Sequence, residues 1–518
     1  MTVYDVIIVG SGAAGAWAAK QLKTKNILML DVGNEPEFKY SDGIDPYYDL
    51  KKNPAQGEPI LIGDNFESLS NIFTDYMSPK LKSPFMRYVV KGTSQSKLKE
   101  DGFNSQQSFA TGGLGNAWGA GCYRFQDYEL AKFPFESQDL QPFYDKLTEE
   151  IGISGSDDDL TRFYGTTEKL LPAIKKTHQL DTIYRQYLKK RKSFHTAGYF
   201  LGHPRLAYKN YTSKGLDYYL SHNPSIYTPA FTIQELLDQN KITYVNGMHV
   251  QSFSETTDYV EVTALNLKLS QQHAFRGKTL ILAMGALNSA KCVLQSYNDQ
   301  TTRLPLLDNN ISYVPFLYPK MLGLSWASEN VVGSPMTLVQ LRENQRLPLQ
   351  ISLYNIGSVL ISDLLYSLPL SADIMVKAAK LMLPALMIAQ VFYPDVQNVQ
   401  NYLSLDGKSL NLVYKKSNAG TSEQSLIAQL RKIGLFSAKT LIQYPTPGNS
   451  FHYAGMLPMR DKPTTRYQCH PDGRLNETRR VFVADAANFP ELPAKNHTFT
   501  IMANSMRIAN IVQRKYLE

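Results

Sequence analysis

Cysteine is scarce in this sequence of 518 residues, and the three that occur, Cys122, Cys292 and Cys469, stand far apart. They offer neither a disulfide framework nor the paired spacing of a zinc site, so we expect buried thiols and no metal centre. Long basic runs are also missing, because the surplus of 8 positive charges is spread along the chain, which argues against a nucleic-acid partner. Met1 leads within a few residues into an apolar strand, without the basic leader of a secretory signal, which favours the cytoplasm.

Hydrophobic residues make up 43% of the chain and charged residues 19%, which excludes wholesale disorder. The 32 glycines and 27 prolines are too sparse and aperiodic for a fibrous chain. At ~100 to 200 residues per domain, the length predicts roughly two to four domain-sized units. The sequence therefore describes a globular protein whose net basic charge favours anionic ligands or a membrane surface.

A βαβ unit is predicted at the N-terminus. Residues 4–9 form a β-branched run that is typical of a buried parallel strand. An alanine-rich stretch to Leu22 predicts the helix that follows, and residues 26–30 predict a second strand. This order is that of a dinucleotide-binding unit.

The glycines between the first strand and the helix have separate roles in such a unit. Gly10 permits a tight turn, Gly12 lets the backbone approach a pyrophosphate, and Gly15 lets the helix pack on the strand. Asp31 follows the second strand, 21 residues after Gly10, and is placed to accept hydrogen bonds from an adenosine ribose. Its charge disfavours a phosphorylated ribose, and therefore NADP.

A second glycine-rich segment spans residues 110–121, with five glycines in its last ten residues. Such a density predicts backbone pressed against a planar or anionic ligand. A flexible surface loop is the alternative. Leu114 and Trp118 within the run argue against it, because exposed loops have little use for large apolar side chains.

Later segments return the chain to the nucleotide-binding sheet. Residues 280–289 predict a strand, a glycine turn and a helix, and residues 481–487 predict another strand that ends at an aspartate. A long helix is expected from about Thr498 to Lys515. The interval 300–445 carries no nucleotide signature but contains strand-like runs such as 349–354. It is therefore predicted to be a second domain that faces the substrate.

Taken together, these segments resemble the glucose-methanol-choline (GMC) oxidoreductases, which are FAD enzymes that oxidise alcohols and sugars; the motif style is nearest to the pyranose oxidase-like branch. The motifs that carry the resemblance are GSGAAG at 10–15 with Asp31, ATGGLGNAWGAG at 110–121, LILAMGALNSA at 280–290, SFHYAG at 450–455, VFVADAANFP at 481–490 and NHTFTIMA at 496–503. The resemblance implies an α/β fold, α+β overall, with a discontinuous Rossmann-like FAD-binding domain and a substrate domain built on a mainly antiparallel sheet with helices.

Five segments follow from the resemblance. They are a first FAD-binding part at 1–150, a substrate-domain or cap segment at 151–205, a second FAD-binding part at 206–299, the substrate-binding domain at 300–445 and a third FAD-binding part at 446–518. The residues that the resemblance implies for cofactor binding are Gly10, Gly12, Ala14, Gly15, Asp31, Gly112, Gly113, Asn116, Trp118, Val250, Ala283, Gly285, Asp485, His497 and Thr498.

Oxidation of an alcohol by a flavin requires a base with a near-neutral pKa, which points to histidine. His452 lies where the family carries its catalytic histidine, although any single histidine is more often an ordinary polar residue. Asn496 stands eleven positions before Arg507, the family's offset from the second catalytic residue to a basic residue of the terminal helix. Asn496 is also a good helix N-cap, and the two roles can coexist.

Two positions depart from the family pattern. Asp31 replaces the more usual glutamate, and His497 stands where relatives with a catalytic asparagine commonly carry proline. His497 either adds charge beside the flavin or merely packs. Ala117 occupies the place of the flavin-linking histidine of pyranose oxidases, so we expect FAD to be bound noncovalently.

The expected function is oxidation of an alcohol group, on a sugar or a glycosylated lipid, by hydride transfer to the flavin with His452 as general base. The electron acceptor, oxygen or another carrier, stays open. A non-redox FAD lyase of the same fold, an NAD-linked dehydrogenase and an inactive binding protein are the alternatives. The second glycine-rich motif has no purpose in the NAD reading, and intact His452 and Asn496 argue against an inactive protein.

Apolar residues are concentrated between residues 357 and 393, beyond what one face of an amphipathic helix requires. Lys377 and Lys380 interrupt the run, and each central lysine costs about 2.5 to 3.5 kcal/mol on insertion into a bilayer, so no spanning helix is expected. Two interpretations remain. The segment is either a peripheral membrane contact or a buried helical hairpin that covers the substrate sheet.

Overall fold

The computed structural model describes residues 2–36, 81, 86–209, 226–324, 336–355, 371–416 and 421–518. The strands of this part of the chain are β1 (Val3–Val9), β2 (Ile27–Leu30), β3 (Leu98–Asp101), β4 (Ser154–Gly155), β5 (Leu171–Pro172), β6 (Tyr199–Gly202), β7 (Thr243–Val245), β8 (Met248–Glu255), β9 (Val260–Asn266), β10 (Gln271–Leu282), β11 (Leu304–Pro305), β12 (Leu307–Asp308), β13 (Ile311–Leu317), β14 (Met336–Gln340), β15 (Leu349–Asn355), β16 (Leu386–Phe392), β17 (Tyr402–Asp406), β18 (Ser409–Val413), β19 (Tyr453–Ala454) and β20 (Val481–Val483). The α-helices are α1 (Ala13–Gln21), α2 (Arg87–Val90), α3 (Asp127–Leu130), α4 (Ser137–Leu147), α5 (Thr161–Tyr164), α6 (His178–Thr196), α7 (Pro229–Asp238), α8 (Ala286–Ser296), α9 (Ala372–Met382), α10 (Thr421–Arg431) and α11 (Thr498–Val512).

The largest sheet has the order β7-β2-β1-β10-β9-β8, and β20 also pairs with β10. The pairs β2–β7, β1–β2, β1–β10 and β10–β20 are parallel, whereas β8, β9 and the first half of β10 form an antiparallel meander. The predicted strands β1 and β2 are confirmed. Their residues from Val6 to Val9 and from Ile27 to Leu30 are at most 3% exposed, as expected of strands covered on both faces.

Helices α1 and α11 cover one face of this sheet and contact each other. Their contact is made of small side chains, among them Ala16 and Ala19 of α1 and Ala509 of α11, all fully buried. The predicted terminal helix starts at Thr498 as expected. It ends at Val512, three residues earlier than predicted, and a π-helical turn follows.

A five-stranded antiparallel sheet with the order β13-β16-β15-β14-β6 forms the substrate side of the molecule. The predicted strand at 349–354 is its member β15. One face of this sheet packs against helices α6 and α10 through buried residues such as Leu180 and Leu426. The predicted fold class, a Rossmann-like sheet beside a mainly antiparallel substrate sheet, is confirmed.

The described part of the apolar stretch at 357–393 is a helix followed by a strand, and not the pair of helices that the hairpin interpretation requires. Residues 357–370 lie outside the described residues, but from Leu386 to Phe392 the stretch is β16, an interior strand of the substrate sheet. Leu383 and Met387 are buried, so both belong to the core of the substrate domain. On helix α9, by contrast, the apolar residues Ile374 and Leu381 are 54% and 52% exposed. Across the residues that the structure describes, no helix combines the length and apolarity needed to cross a bilayer.

Candidate active site

A cavity runs along the carboxyl ends of the parallel strands and continues to the substrate sheet. At one end its walls are the turn after β1 and Asp31 after β2. At the other end they are His452, Asn496 and Tyr354 of β15. Open α/β sheets bind their ligands outside the carboxyl ends of the strands, and this cavity has that position.

The turn after β1 depends on glycine for two close approaches. Gly10 has a φ of +96°, and a Cβ there would lie 2.4 Å from the carbonyl oxygen of Ala283. A Cβ at Gly15 would lie 1.9 Å from the carbonyl oxygen of Gly10. At Gly12 the nearest atoms are 4.0 Å away, so this position opens into the cavity. Strand and helix therefore meet closely while the backbone beside them stays accessible.

Asp31 is held by the same turn. The backbone N–H of Ser11 donates to Asp31 Oδ2 at 3.2 Å, and the Ser11 hydroxyl donates to the same oxygen. The hydroxyl of Tyr244 on β7 lies 3.4 Å from it. Burial is the main influence on this carboxyl and raises its pKa to about 6. Hydroxyl donors from a ribose would favour the charged form of this group.

The second glycine-rich segment forms a wall of the cavity rather than a surface loop. Gly112 and Gly113 have φ values of +90° and +64°, and a Cβ on Gly113 would lie 3.3 Å from the Cα of Gly12. The backbone N–H of Gly112 donates to the Ser11 hydroxyl at 3.0 Å. Asn116 is buried behind this wall, where its side-chain amide donates to the Thr111 carbonyl at 2.7 Å.

The structure brings most of the predicted cofactor-binding residues to the cavity surface. Those that line it are Gly10, Gly12, Ala14, Asp31, Gly113, Trp118, Val250, Ala283, Gly285, Asp485, His497 and Thr498. Gly15, Gly112 and Asn116 do not line it, and they act by shaping the two glycine-rich segments. Burial raises the pKa of Asp485 to about 6, while the Ser289 hydroxyl donates to it at 2.5 Å.

His452 and Asn496, 44 residues apart in sequence, meet at the other end of the cavity. Asn496 Nδ2 lies 3.3 Å from His452 Nε2. The imidazole stacks on Phe392, with 5.5 Å between the ring centroids, and its Nδ1 lies 2.9 Å from Asn309 Oδ1. Burial lowers the pKa of His452 to about 4, so the ring is neutral at pH 7. This pKa is lower than the near-neutral value expected of the base, because the expectation did not include the burial of the ring, but a neutral imidazole is still able to accept a proton.

Asn496 is part of a chain of hydrogen bonds and does not cap α11. Its Oδ1 accepts a hydrogen bond from Gln350 Nε2 at 3.1 Å, and Gln350 Oε1 accepts one from the Tyr164 hydroxyl at 3.3 Å. The N-cap position of α11 is His497, so the expected N-cap role of Asn496 is wrong. The side chain of Asn496 is instead directed at His452.

His497 packs edge-on against His452, with 4.8 Å between the ring centroids. Burial, with His452 beside it, lowers the pKa of His497 well below the usual value for histidine. The expectation that His497 adds charge beside the flavin is therefore not supported. Its Nδ1 is buried and has no hydrogen-bond partner within the described ranges, and its ring lines the cavity. A buried polar atom of this kind requires a partner, which a bound ligand can supply.

These features fit FAD. The accessible backbone at Gly12 lies at the start of α1, where the positive end of the helix dipole stabilises phosphate. Asp31 offers a carboxylate for a ribose, and His497 offers an unpaired ring nitrogen beside His452 and Asn496. The residues present would therefore hold the cofactor along the cavity.

Three residues of the site were missed by sequence reasoning. Ser11 stands inside the glycine motif, so its position between two glycines was a usable signal. Asn309 and Gln350 belong to no motif. Their roles follow from strand pairing that brings distant segments together. No local sequence pattern indicates that pairing.

Comparisons with known proteins agree with this geometry. Residues 372–505, which include His452 and Asn496, match the family model of the GMC oxidoreductases. The whole fold is similar to the crystal structure of pyridoxine 4-oxidase from Mesorbium loti, with a TM-score of 0.58 and 13% identity over 99% of each chain. A search of curated proteins found no match. The match over residues 372–505 supports the predicted resemblance to the GMC oxidoreductases, and with it an FAD-dependent oxidoreductase that acts on CH–OH groups; the similar solved structure shows that the fold is shared.

Proposed function

We propose that the substrate is an uncharged alcohol, on a sugar or a glycosylated lipid, and that His452 takes its hydroxyl proton. The observation that carries the proposal is the pair His452 Nε2 and Asn496 Nδ2, 3.3 Å apart in the wall of one cavity. Bound FAD supplies the hydride acceptor. The residues of the chain bind and orient the alcohol and move the proton.

His452 and Asn496 have different roles at the oxygen atom of the alcohol. An alcohol that enters between them accepts a hydrogen bond from Asn496 Nδ2 and donates its own proton toward His452 Nε2. The amide is neutral and does not compete for that proton. A positioned base of this kind accelerates such a step by roughly 10²- to 10⁴-fold.

The substrate side of the cavity supports an uncharged substrate. Its wall is formed by Tyr354, Gln390 and Phe392, and the Tyr354 hydroxyl donates to Gln390 Oε1 at 3.0 Å. These side chains carry aromatic faces and neutral hydrogen-bonding groups. Such a surface suits stacking on a sugar ring and contacts with its hydroxyls, and none of these three side chains carries a positive charge to pair with a carboxylate or a phosphate.

An anaerobic substrate screen tests the proposal. The flavin-loaded protein is mixed with alcohols and sugars, free and lipid-linked, while the flavin absorbance is followed. We expect bleaching with at least one uncharged sugar or glycolipid and none with its phosphorylated counterpart. Turnover of a substrate while the flavin stays oxidised would favour the non-redox lyase, and bleaching only by charged alcohols would contradict the substrate class.

The cofactor is proposed to be noncovalently bound. Ala117 lines the cavity at the position where pyranose oxidases carry the flavin-linking histidine, and its methyl group cannot form that bond. Acid precipitation should release yellow cofactor into the supernatant. Flavin retained in the pellet would contradict this mode of binding.

We further propose that the enzyme acts in the cytoplasm and touches an anionic membrane through α9. Ile374 and Leu381 are exposed there, and the backbone N–H of Gly323 donates to the Leu381 carbonyl, which places exposed Leu322 and Leu324 beside the helix. Cations of Lys377 and Lys380 on the same helix would meet anionic headgroups.

Liposome flotation tests the membrane contact. The protein should float with anionic liposomes at low salt, and the double variant Ile374→Glu, Leu381→Glu should not. Leu269→Glu is a matched control, because Leu269 is 60% exposed on the turn between β9 and β10, in the other sheet. Equal flotation of both variants, or none by the wild type, would rule the contact out.

A further inference from the structure

We propose that Asn309 is a positioning residue that fixes the tautomer of His452, with the proton on Nδ1 and the lone pair of Nε2 directed at the substrate. The inference rests on the proposed function and deepens it. Asn309 has no place in the motifs that identify the family. Its role follows from three hydrogen bonds and from the register of a short pair of strands.

The register places Asn309 opposite His452. Strands β12 and β19 are antiparallel, and Asp308 pairs with Tyr453. In an antiparallel pair, one step forward on one strand lies opposite one step back on the other, which brings residue 309 to residue 452. Backbone pairing thus holds Asn309 and His452 next to each other. Oδ1 of Asn309 lies 2.9 Å from Nδ1 of His452.

The orientation of the Asn309 amide is determined by its other partners. Asn309 Nδ2 donates to the carbonyl of Tyr393 at 2.8 Å and to the carbonyl of Pro493 at 3.0 Å. Carbonyl oxygens only accept, so both contacts require the NH₂ group on that side. The side chain is fully buried and cannot exchange these bonds for water. Its Oδ1 must therefore face His452.

An amide oxygen beside Nδ1 requires that Nδ1 carry the ring proton. In the neutral imidazole the other nitrogen is then an acceptor, so Nε2 presents its lone pair. The contacts on the opposite side of the ring agree with this tautomer. Asn496 Oδ1 accepts from Gln350 Nε2, so the Asn496 NH₂ group is the one that faces Nε2. Asn309 thus selects the tautomer that can act as a base, and the contacts of Asn496 are compatible with it.

The neutral partner at Nδ1 matters because carboxylates are near. Asp308 is buried one residue away, but its carboxylate accepts from the Ser450 hydroxyl and from the Gly448 backbone rather than from the imidazole. Asp395 accepts from the backbone of Asp308 and from the Tyr414 hydroxyl.

Two more titratable groups belong to the surroundings of His452. His497 packs against the ring from α11, and Tyr354 lines the same cavity from β15. Neither donates to Nδ1 or accepts from it among the described contacts. Asn309 thus orients the base without adding the negative charge that would raise the proton affinity of His452 and keep it protonated.

Three variants test the proposal in the flavin-loaded protein. Asn309→Ala removes the acceptor at Nδ1. Asn309→Asp keeps an acceptor there but adds a negative charge. Asn310→Ala is the matched control, because Asn310 is the next buried asparagine of the chain and its side chain donates to the Tyr414 hydroxyl at 2.9 Å, away from His452.

The tautomer is measured by ¹⁵N NMR of histidine-labelled protein, and the limiting rate of flavin reduction by stopped flow. Wild-type protein and Asn310→Ala should show protonated Nδ1 at His452. Asn309→Ala should lose that signal and reduce its flavin roughly 10-fold more slowly, the value of one buried hydrogen bond. Protonated Nε2 in the wild type, or an unchanged tautomer and rate in Asn309→Ala, would overturn the proposal, as would equal effects of Asn309→Ala and Asn310→Ala.

If Asn309→Ala does not fold, the pH dependence of flavin reduction in Asn309→Asp tests the proposal. A carboxylate at hydrogen-bond distance raises the pKa of an imidazole, so the acid limb of the rate profile should move up by about 1 to 3 pH units. An unshifted limb would overturn the proposal. Failure of the proposed function can be distinguished from failure of this inference. In the first case no alcohol bleaches the flavin of the wild-type protein, whereas the NMR measurement of the tautomer does not depend on a substrate.

Discussion

The two ends of the cavity are built in different ways. The nucleotide end is made largely of backbone, where Gly10 and Gly15 permit approaches that any Cβ would block. The end that we propose to bind the alcohol, here called the alcohol end, is made of side chains, and Asn309, His452 and Asn496 come from three segments that only the folded chain brings together. A short local motif can specify the first kind of site. The second kind depends on strand register and on buried amides that must each find a partner.

Replacement of His452 should give the largest effect on the rate of flavin reduction. It should also show that the two ends of the cavity have different roles. His452→Ala should slow flavin reduction by roughly 10²- to 10⁴-fold while FAD stays bound, because the base is lost and the nucleotide end is intact. Stopped-flow reduction and the flavin-to-protein ratio measure the two quantities.

His249→Ala is the matched control for that experiment. His249 and His452 are both 8% exposed and both line the cavity, but His249 is on β8, beside the nucleotide end. Its loss should leave the reduction rate nearly unchanged in protein that contains flavin. Equal slowing by both variants would mean that His452 has no special chemical role.

A side chain at Gly10 should weaken the binding of FAD at the nucleotide end of the cavity. Gly10→Ala puts a Cβ 2.4 Å from the Ala283 carbonyl oxygen, and such overpacking costs about 1 to 3 kcal/mol, or roughly 5- to 150-fold in FAD affinity. Reconstitution of the apoprotein with FAD measures the loss. Gly407→Ala is the control, because Gly407 also has a positive φ but no atom within 4 Å of its Cβ position. Similar losses in both variants would assign the effect to backbone strain alone.

The same contrast explains what could be predicted from the sequence. Strand β1, the glycine turn and Asp31 were predictable because their spacing reflects one local unit with one geometry. The start of α11 at Thr498 was predictable as well. Which loop glycines touch the cavity was not, because Gly112 and Gly113 differ only in which side of the segment they present.

Burial and register account for the other differences. The stretch from Leu386 is apolar because β16 is an interior strand of the substrate sheet, between β13 and β15. A continuous apolar run is compatible with a buried helix or a buried strand. The charge state of His497 depends on desolvation, which the sequence does not reveal. Asn309 owes its place to the pairing of β12 with β19, a contact across some 140 residues of chain.

A smaller effect is expected from Asn496, since in the proposed function it holds the alcohol but does not take the proton. Asn496→Ala should lower the limiting rate of flavin reduction roughly 10-fold, the value of one hydrogen bond of this kind. The rate should fall less than in His452→Ala. Stopped-flow measurement over a range of alcohol concentrations separates the limiting rate from binding. A loss confined to binding would assign Asn496 to affinity alone.

The smallest expected effect is that of pH near neutrality. The base works only when unprotonated, so the rate is lost as the pH falls through the pKa of His452. Burial lowers that pKa to about 4, below the usual value for histidine, and the neighbouring His497 is neutral as well. The rate of flavin reduction should therefore be nearly flat from about pH 6 to 8 and fall tenfold per unit below about 4. Stopped-flow rates in buffers of constant ionic strength measure the profile. An acid limb near the ordinary histidine pKa would mean that the base is solvated when it acts, and that the alcohol end opens to water in the working enzyme.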